Sequence, residues 1–460
     1  MTQSKSIVVQ SLLAWLLIMA ACQKQEEIIV TSPGARLATT DDTVIFDTVF
    51  TVRGSITKRF KILNPNDNAI RIDDVYVGGG SSSPYRIIFD GRPGSRFENQ
   101  VLLGGDSLLV LVEVTIDPVA DNLPFLVTDS VVIESNTNTD VVKLVAWGQD
   151  ANFFNDSILA CNTTWTADRP YVITNSVLVN EGCTLTIEPG TQVFSANGSA
   201  ILVAGSLTVN GTNQMPVSFL NDRLDEGFEN APGQWVGIFF LEGSKDNTIN
   251  HAIIRNAQIG LRVGTPDNDT IADVTVNNTI IENMTDSGIL GFSADITANN
   301  TLINNCAVYT VGHFIGGTYR YNHCTFANFS FDFFRDQPSV VWADNVIAGE
   351  ETLIDDFNLR MFNTIIWGSL SEELLLSSTG EASFEVFLAN NIIKTEIEGF
   401  DINGNIINED PSFVDPFLYD YSLDTLSVAK DAGLVTTITT DLPGNNRDLA
   451  PDIGAYERIE

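Results

Sequence analysis

Positive charge is what this 460-residue chain has least of. It carries 24 Lys and Arg against 59 Asp and Glu, a formal net charge of −35. Such a surface repels phosphate backbones, which argues against nucleic acid as a partner. Histidine is scarcer still, at three residues, and His251, His313 and His323 stand at no metal-ligand spacing from one another. No phosphate-binding glycine loop, nucleophile elbow or dinucleotide fingerprint is present. No stretch has the 3.6-residue apolar period of an amphipathic helix, and Met, at 5, is scarce.

What remains is strand and turn chemistry. Phe, Val, Ile, Thr, Asn and Gly are plentiful in a chain that is 44% hydrophobic and 18% charged, which favours a globular fold of strands and tight turns. A tripeptide of the type Asn-(Thr/Ile/Val)-Ile recurs. It begins at Asn278, Asn300, Asn345, Asn363, Asn391 and Asn405, with diverged copies at Asn250 and Asn322. Seven steps span the residues between Asn250 and Asn405, about 22 residues each, and a short β run at that period predicts a solenoid. Asn tolerates left-handed backbone and can hydrogen-bond from coil to coil. The series Asn278, Asn300, Asn322, Asn345, Asn363, Asn391 and Asn405 is therefore expected at corners, as a structural ladder.

Residues 1–21 hold Lys5 and then a largely apolar run that is too short for an ordinary spanning helix, the pattern of an export signal. The run ends in Met19-Ala20-Ala21-Cys22. This resembles the bacterial lipoprotein signal, which implies lipidation of Cys22 and an outer-membrane lipid as partner. Gln23-Lys24-Gln25-Glu26-Glu27 resembles the surface-export signal of Bacteroidota lipoproteins and implies a cell-surface location. Residues 22–40 read as the tether.

Residues 41–150 alternate in short runs separated by turns, such as Leu108, Val110, Val112, Val114 and Ile116 after Gly104-Gly105-Asp106. They predict a β-sandwich. The run Lys58-Arg59-Phe60-Lys61-Ile62-Leu63-Asn64-Pro65 resembles the start of an immunoglobulin-like module. Residues 155–457 open with Trp165-Thr166-Ala167-Asp168-Arg169-Pro170 and Cys183-Thr184-Leu185-Thr186-Ile187-Glu188-Pro189-Gly190. They close with Arg447-Asp448-Leu449-Ala450-Pro451-Asp452-Ile453-Gly454-Ala455-Tyr456-Glu457. These resemble the opening and closing motifs of right-handed parallel β-helices of the pectate-lyase-like type. The fold expected is thus all-β, an immunoglobulin-like sandwich followed by a single-stranded right-handed solenoid. Residues 419–456 are expected to cap the last coil. Cys161 with Cys183, and Cys306 with Cys324, are disulfide candidates; the second pair is equally well read as two stacked, reduced core thiols.

The chemistry is less legible. β-Helix lyases use an Arg or Lys base and carboxylate-bound Ca²⁺, so the resemblance makes Ca²⁺ the one cofactor to look for. The coils offer Arg320, Arg335 and Arg360 with Asp332, Asp336, Asp344, Asp355 and Asp356, among which Arg335, Asp336 and Asp356 are the catalytic candidates. No lyase motif surrounds them. Adjacent strand residues such as Asp355 and Asp356 point to opposite faces unless they lie on a turn. Aromatic residues crowd residues 309–334, as core or as an outward platform for sugar rings. The leading reading is a non-catalytic surface lipoprotein that binds or displays, with polysaccharide as ligand. The alternatives are a polysaccharide lyase or glycoside hydrolase, and a protein-binding adhesin or envelope component.

Overall fold

A computed structural model describes residues 27–119, 122–225, 227–264, 272–329 and 333–459. Cys22 and the signal segment lie outside the described residues. The chain forms two compact units that meet in sequence between Gln149 and Asp150.

The first unit is a β-sandwich. One sheet runs Ile29–Val30, Ala69–Val77, Phe125–Ser135, Asn138–Gln149, Thr43–Phe50, with Arg96–Leu102 also on Ala69–Val77. The other runs Ala38–Thr39, Lys58–Leu63, Ser107–Val114, Tyr85–Phe89, Arg92–Gly94. Period-two alternation places Val110, Val112, Val114 and Ile116 in one shared core with Phe60, Ile72 and Val131. The tether is shorter than expected. Ile29–Val30 pairs with Ala69 and Ile70, Ala38–Thr39 pairs with Leu63 and Ile62, and Leu37 is buried. An apolar residue between two ladder-forming pairs buries more favourably than it solvates, so these residues join the sheets.

The second unit is a parallel β-helix with three faces. The first face is an eleven-stranded sheet that begins at Asn152–Phe154 and ends at Ile406–Ile407. At the spacing of hydrogen-bonded strands this stack is roughly 50 Å long. The second and third faces share one sheet, because Ser287–Asn299 and Val311–Asn322 run unbroken around the corner between them. Ser293 and Ile315 make that corner with φ of 51° and 62°. Inward residues stack in columns. On the third face Ile187, Val209, Ile249, Val276, Ala298, Tyr321, Met361 and Leu388 succeed one another in register, all buried in one core. Each large member of such a column contributes about 1.5–3 kcal/mol by burial.

The corner ladder exists, in a corrected register. Asn278, Asn300 and Asn363 occupy left-handed corner positions, with φ of 49°, 45° and 48°. Asn300 donates to the Asn278 oxygen at 3.0 Å. Between Asn300 and Asn363 the corner is held by His323 (φ 52°), not Asn322, and the next corner by Asn390, not Asn391. Asn322 belongs to a neighbouring outward column with Asn250, Asn277 and Asn299, whose amides bond in series at 2.8 Å. Asn391 and Asn405 bond to each other one residue beyond the corner, at 3.0 Å. Asn345 lies in no coil corner. It starts an antiparallel hairpin, Asn345–Ala348 with Glu351–Ile354, inserted in a coil whose equivalent residues His323 and Asn363 are 40 apart. The tripeptide recurs there, but its hydrogen bonds close a hairpin.

Cys161 and Cys183 are bridged across adjacent coils, with Cα atoms 4.7 Å apart and a sequence separation of 22. Replacing both with Ser is expected to lower the unfolding free energy of this unit by about 3 kcal/mol, read from urea denaturation. Cys306 and Cys324 are free thiols, fully buried. Their 18-residue spacing falls short of the 23-residue step between these two strands, Leu302 to Thr325. Cys324 therefore precedes its first-face strand while Cys306 ends the strand beneath it. Burial pushes both thiols up, Cys324 to about 12.

The C-terminal segment packs along the outer side of the first face. Leu442, Ala455 and Tyr421 cluster with Leu302 and Ala327, and Leu423, Ala429 and Ile453 with Ile365, Trp367 and Ile392. Its contacts thus span several coils, where an end cap alone was expected. Gly454, at φ 106°, is needed there, since a Cβ would sit 2.8 Å from Ile365 Cδ1.

Candidate functional site

The three catalytic candidates do not converge. Arg335 is buried and both terminal nitrogens are held by Glu373, at 2.6 and 2.7 Å. A guanidinium so engaged is a structural clamp and no base. Asp336 is exposed and meets Gln337 at 3.3 Å. Asp356 sits on the corner between the second and third faces and accepts from the Ser383 amide at 2.8 Å. Its neighbour Asp355 turns to the Ser293 hydroxyl, also at 2.8 Å, so the adjacent carboxylates serve different coils. Among the described residues no three His, Cys, Asp or Glu are grouped so that they could hold a metal ion. His313 lies inside the core, its ring stacked 3.5 Å from Tyr319 and Nε2 2.6 Å from the Tyr321 hydroxyl. Burial holds it well below the usual imidazole range.

The aromatic cluster divides. Tyr319, Tyr321 and Phe326 are core residues, and Phe331 lies outside the described residues. Tyr309 and Phe314 are half-buried and face outward, and they belong to a larger strip on the second face. Two columns of outward side chains make it. One passes in register through Leu202, Phe239, Arg262 and Leu290, and the other through Gly264, Phe292 and Phe314. Their strand neighbours Val203, Phe240 and Val263 point into the core. The Phe292 and Phe314 rings stack at 5.6 Å, and Tyr309 meets Phe314 at 6.1 Å. The Arg262 guanidinium lies over Phe292 at 5.0 Å and over Phe239 at 5.7 Å. Stacked in this way, its flat face covers the rings.

Two glycines leave room for these rings. A Cβ on Gly312 would meet Leu290, Phe314 and Tyr309, the closest at 2.8 Å, and one on Gly264 would meet Phe292 Cβ at 3.2 Å. The sequence reading missed Phe239, Arg262 and Phe292. The signal was a glycine in a strand next to an aromatic at the outward phase, as in Gly312-His313-Phe314. On the third face the other two candidate arginines, Arg320 and Arg360, are exposed and in register with each other.

Residues 157–335 match the family model described as pectate-lyase-like β-helix domain. The solenoid is a parallel β-helix, and its residues 157–335 are similar to pectate-lyase-like domains. Among solved structures, the catalytic unit of a thermostable GH87 α-1,3-glucanase from Streptomyces thermodiastaticus strain HF3-3 is similar at 12% identity and TM-score 0.34, over 73% of this chain and 79% of that one. Pectate lyase Pel9A is similar at 13% identity and TM-score 0.32, over 68% of this chain and 88% of that one. A family 123 glycoside hydrolase from Clostridium perfringens matches at 8% identity and TM-score 0.19, over 26% of this chain and 26% of that one, so the match spans about a quarter of that enzyme. No curated protein matches the sequence.

Proposed function

We propose that this protein is a non-catalytic, surface-displayed module that binds polysaccharide along the second face of its solenoid, anchored by a lipid on Cys22. The observation that supports this reading is the outward strip of Phe239, Arg262, Phe292 and Phe314. Contiguous apolar patches on a surface often mark a ligand-binding site. The C–H faces of sugar rings match such a row, and Arg262 supplies donors for their hydroxyls. Asp355 and Asp356 bond to different coils, an arrangement unlike two carboxylates facing one glycosidic bond. Glycan binding and lipid anchoring are separable, because the strip lies wholly within the solenoid.

The test is a panel of immobilised polysaccharides, assayed for retention and for released product. The Phe292→Ala/Phe314→Ala variant is expected to bind its best ligand about tenfold more weakly than the parent, with an unchanged melting temperature. Equal retention of parent and variant would reject the strip as the binding surface. Release of shortened or unsaturated sugars would overturn the non-catalytic assignment.

A further inference from the structure

The third face carries a second feature, independent of the aromatic strip. Its central outward column is threonine through six coils, in register from Thr164 to Thr297. At the next two coils the column becomes Arg320 and then Arg360, and it ends in Phe387. Arg320 and Arg360 are exposed register partners on adjacent parallel strands, so their stems start about 4.8 Å apart. Like charges placed side by side on a sheet are destabilising. Yet neither guanidinium makes an ion pair among the described residues, in a chain with 59 acidic side chains. Arg255, Arg335 and Arg447 each have a carboxylate partner. Beside Arg360 lies a recess of about 450 Å³, lined by Asn358, Arg360, Glu385 and Phe387. It offers an amide and the face of a half-exposed ring next to the charge.

We infer that Arg320 and Arg360 form a binding site for an anionic group carried on a sugar chain, a sulfate ester or a carboxylate, with Asn358 and Phe387 contacting the sugar that bears it. The inference rests on the proposed glycan-binding role and names its ligand class. Two unpaired guanidiniums one strand apart can each give a forked pair of N–H donors to one oxyanion, and the anion relieves their mutual repulsion. The contact is direct, so it needs no bridging divalent cation. Glu385 in the recess sets the orientation, since it repels an anion placed anywhere but over the arginines.

The test measures binding of the full chain to dextran sulfate, to polygalacturonate and to unmodified dextran, with and without EDTA. The strongly acidic surface otherwise repels both polyanions. The expected result is tighter binding to at least one polyanion than to dextran, unchanged by EDTA. In Arg320→Gln/Arg360→Gln this preference is expected to fall about tenfold or more. Arg320→Lys/Arg360→Lys should retain part of it, by keeping charge without the fork. No preference over dextran, an unchanged preference in the Gln variant, or binding abolished by EDTA would each overturn the site. Failure of the glycan-binding role itself looks different: dextran sulfate would bind through the arginines while no natural polysaccharide bound and the Phe292 and Phe314 variant had no effect. Loss of the polyanion preference with neutral glycans still held by the second face would remove the arginine site alone.

Discussion

Glu373→Ala is expected to destabilise the solenoid by about 3–5 kcal/mol, a loss large enough to shift its urea midpoint well below that of the parent. The side chains of Arg335 and Glu373 are 1% and 0% exposed. Their bidentate fork is only part of the arrangement. Glu373 also accepts from the backbone amides of Ser339 and Leu370, at 3.0 and 2.8 Å, and Arg335 donates to the carbonyls of Asn328 and Gln337. Alanine at 373 leaves a buried cation without its counter-charge and two amides without an acceptor. Such orphaned groups cost far more than the intact pair stabilises. The double replacement Arg335→Met/Glu373→Met should therefore unfold closer to the parent than Glu373→Ala does, since no charge is then stranded. If Glu373→Ala unfolds within about 0.5 kcal/mol of the parent, the pair is not the closed unit described. The same geometry explains why Arg335, an attractive base in the sequence, is unavailable for chemistry.

The solenoid was legible because its corners demand a rare backbone. Asn278, Asn300 and Asn363 mark left-handed corners, and few other side chains accept that conformation. The register failed where another residue met the same demand. His323 takes the corner with φ 52°, so the adjacent Asn322 was mistaken for it. Asn345 was misread for the opposite reason, since a local tripeptide cannot report that the chain has left the coil for a hairpin. The place of the C-terminal segment was beyond local pattern altogether. Arg447 reaches the Asn300 oxygen 147 residues away, at 3.0 Å. The outward strip was half legible. Phe314 falls within the aromatic run at 309–334, but Phe239 and Arg262 come from earlier coils, and only the coil-to-coil register brings them beside Phe292. A repeat thus advertises the residues that hold it together, and the side chains it leaves free become a surface only once the register is known.

The corner histidine gives the second large effect, in the pH dependence of stability. Burial, aided by the nearby Arg447, lowers the His323 pKa from 6.5 to about 3. Its Nε2 faces the Asn363 amide nitrogen at 3.0 Å and accepts there, which requires the ring to be neutral. Above pH 6.5 the ring is neutral in both folded and unfolded chains. Between pH 6.5 and about 3 the unfolded chain holds a proton that the folded chain does not. Folding stability therefore falls as pH falls through this window, by an amount on the order of 4 kcal/mol for this one group. Asp452 and Glu457 nearby act in the opposite sense, because burial raises their carboxyls and the folded chain takes up their protons first. They remain in a variant altered only at 323, as does the buried His313. His323→Asn is the informative change, since Asn holds the equivalent corners at 278, 300 and 363 and can accept from Asn363 as Asn278 accepts from Asn300. The variant is expected to match the parent within about 1 kcal/mol at pH 7, and to be the more stable of the two by several kcal/mol near pH 3.5. Urea unfolding at half-unit pH steps measures the difference. Parallel curves for the two proteins across this window would mean that the His323 ring can take its proton without opening the corner.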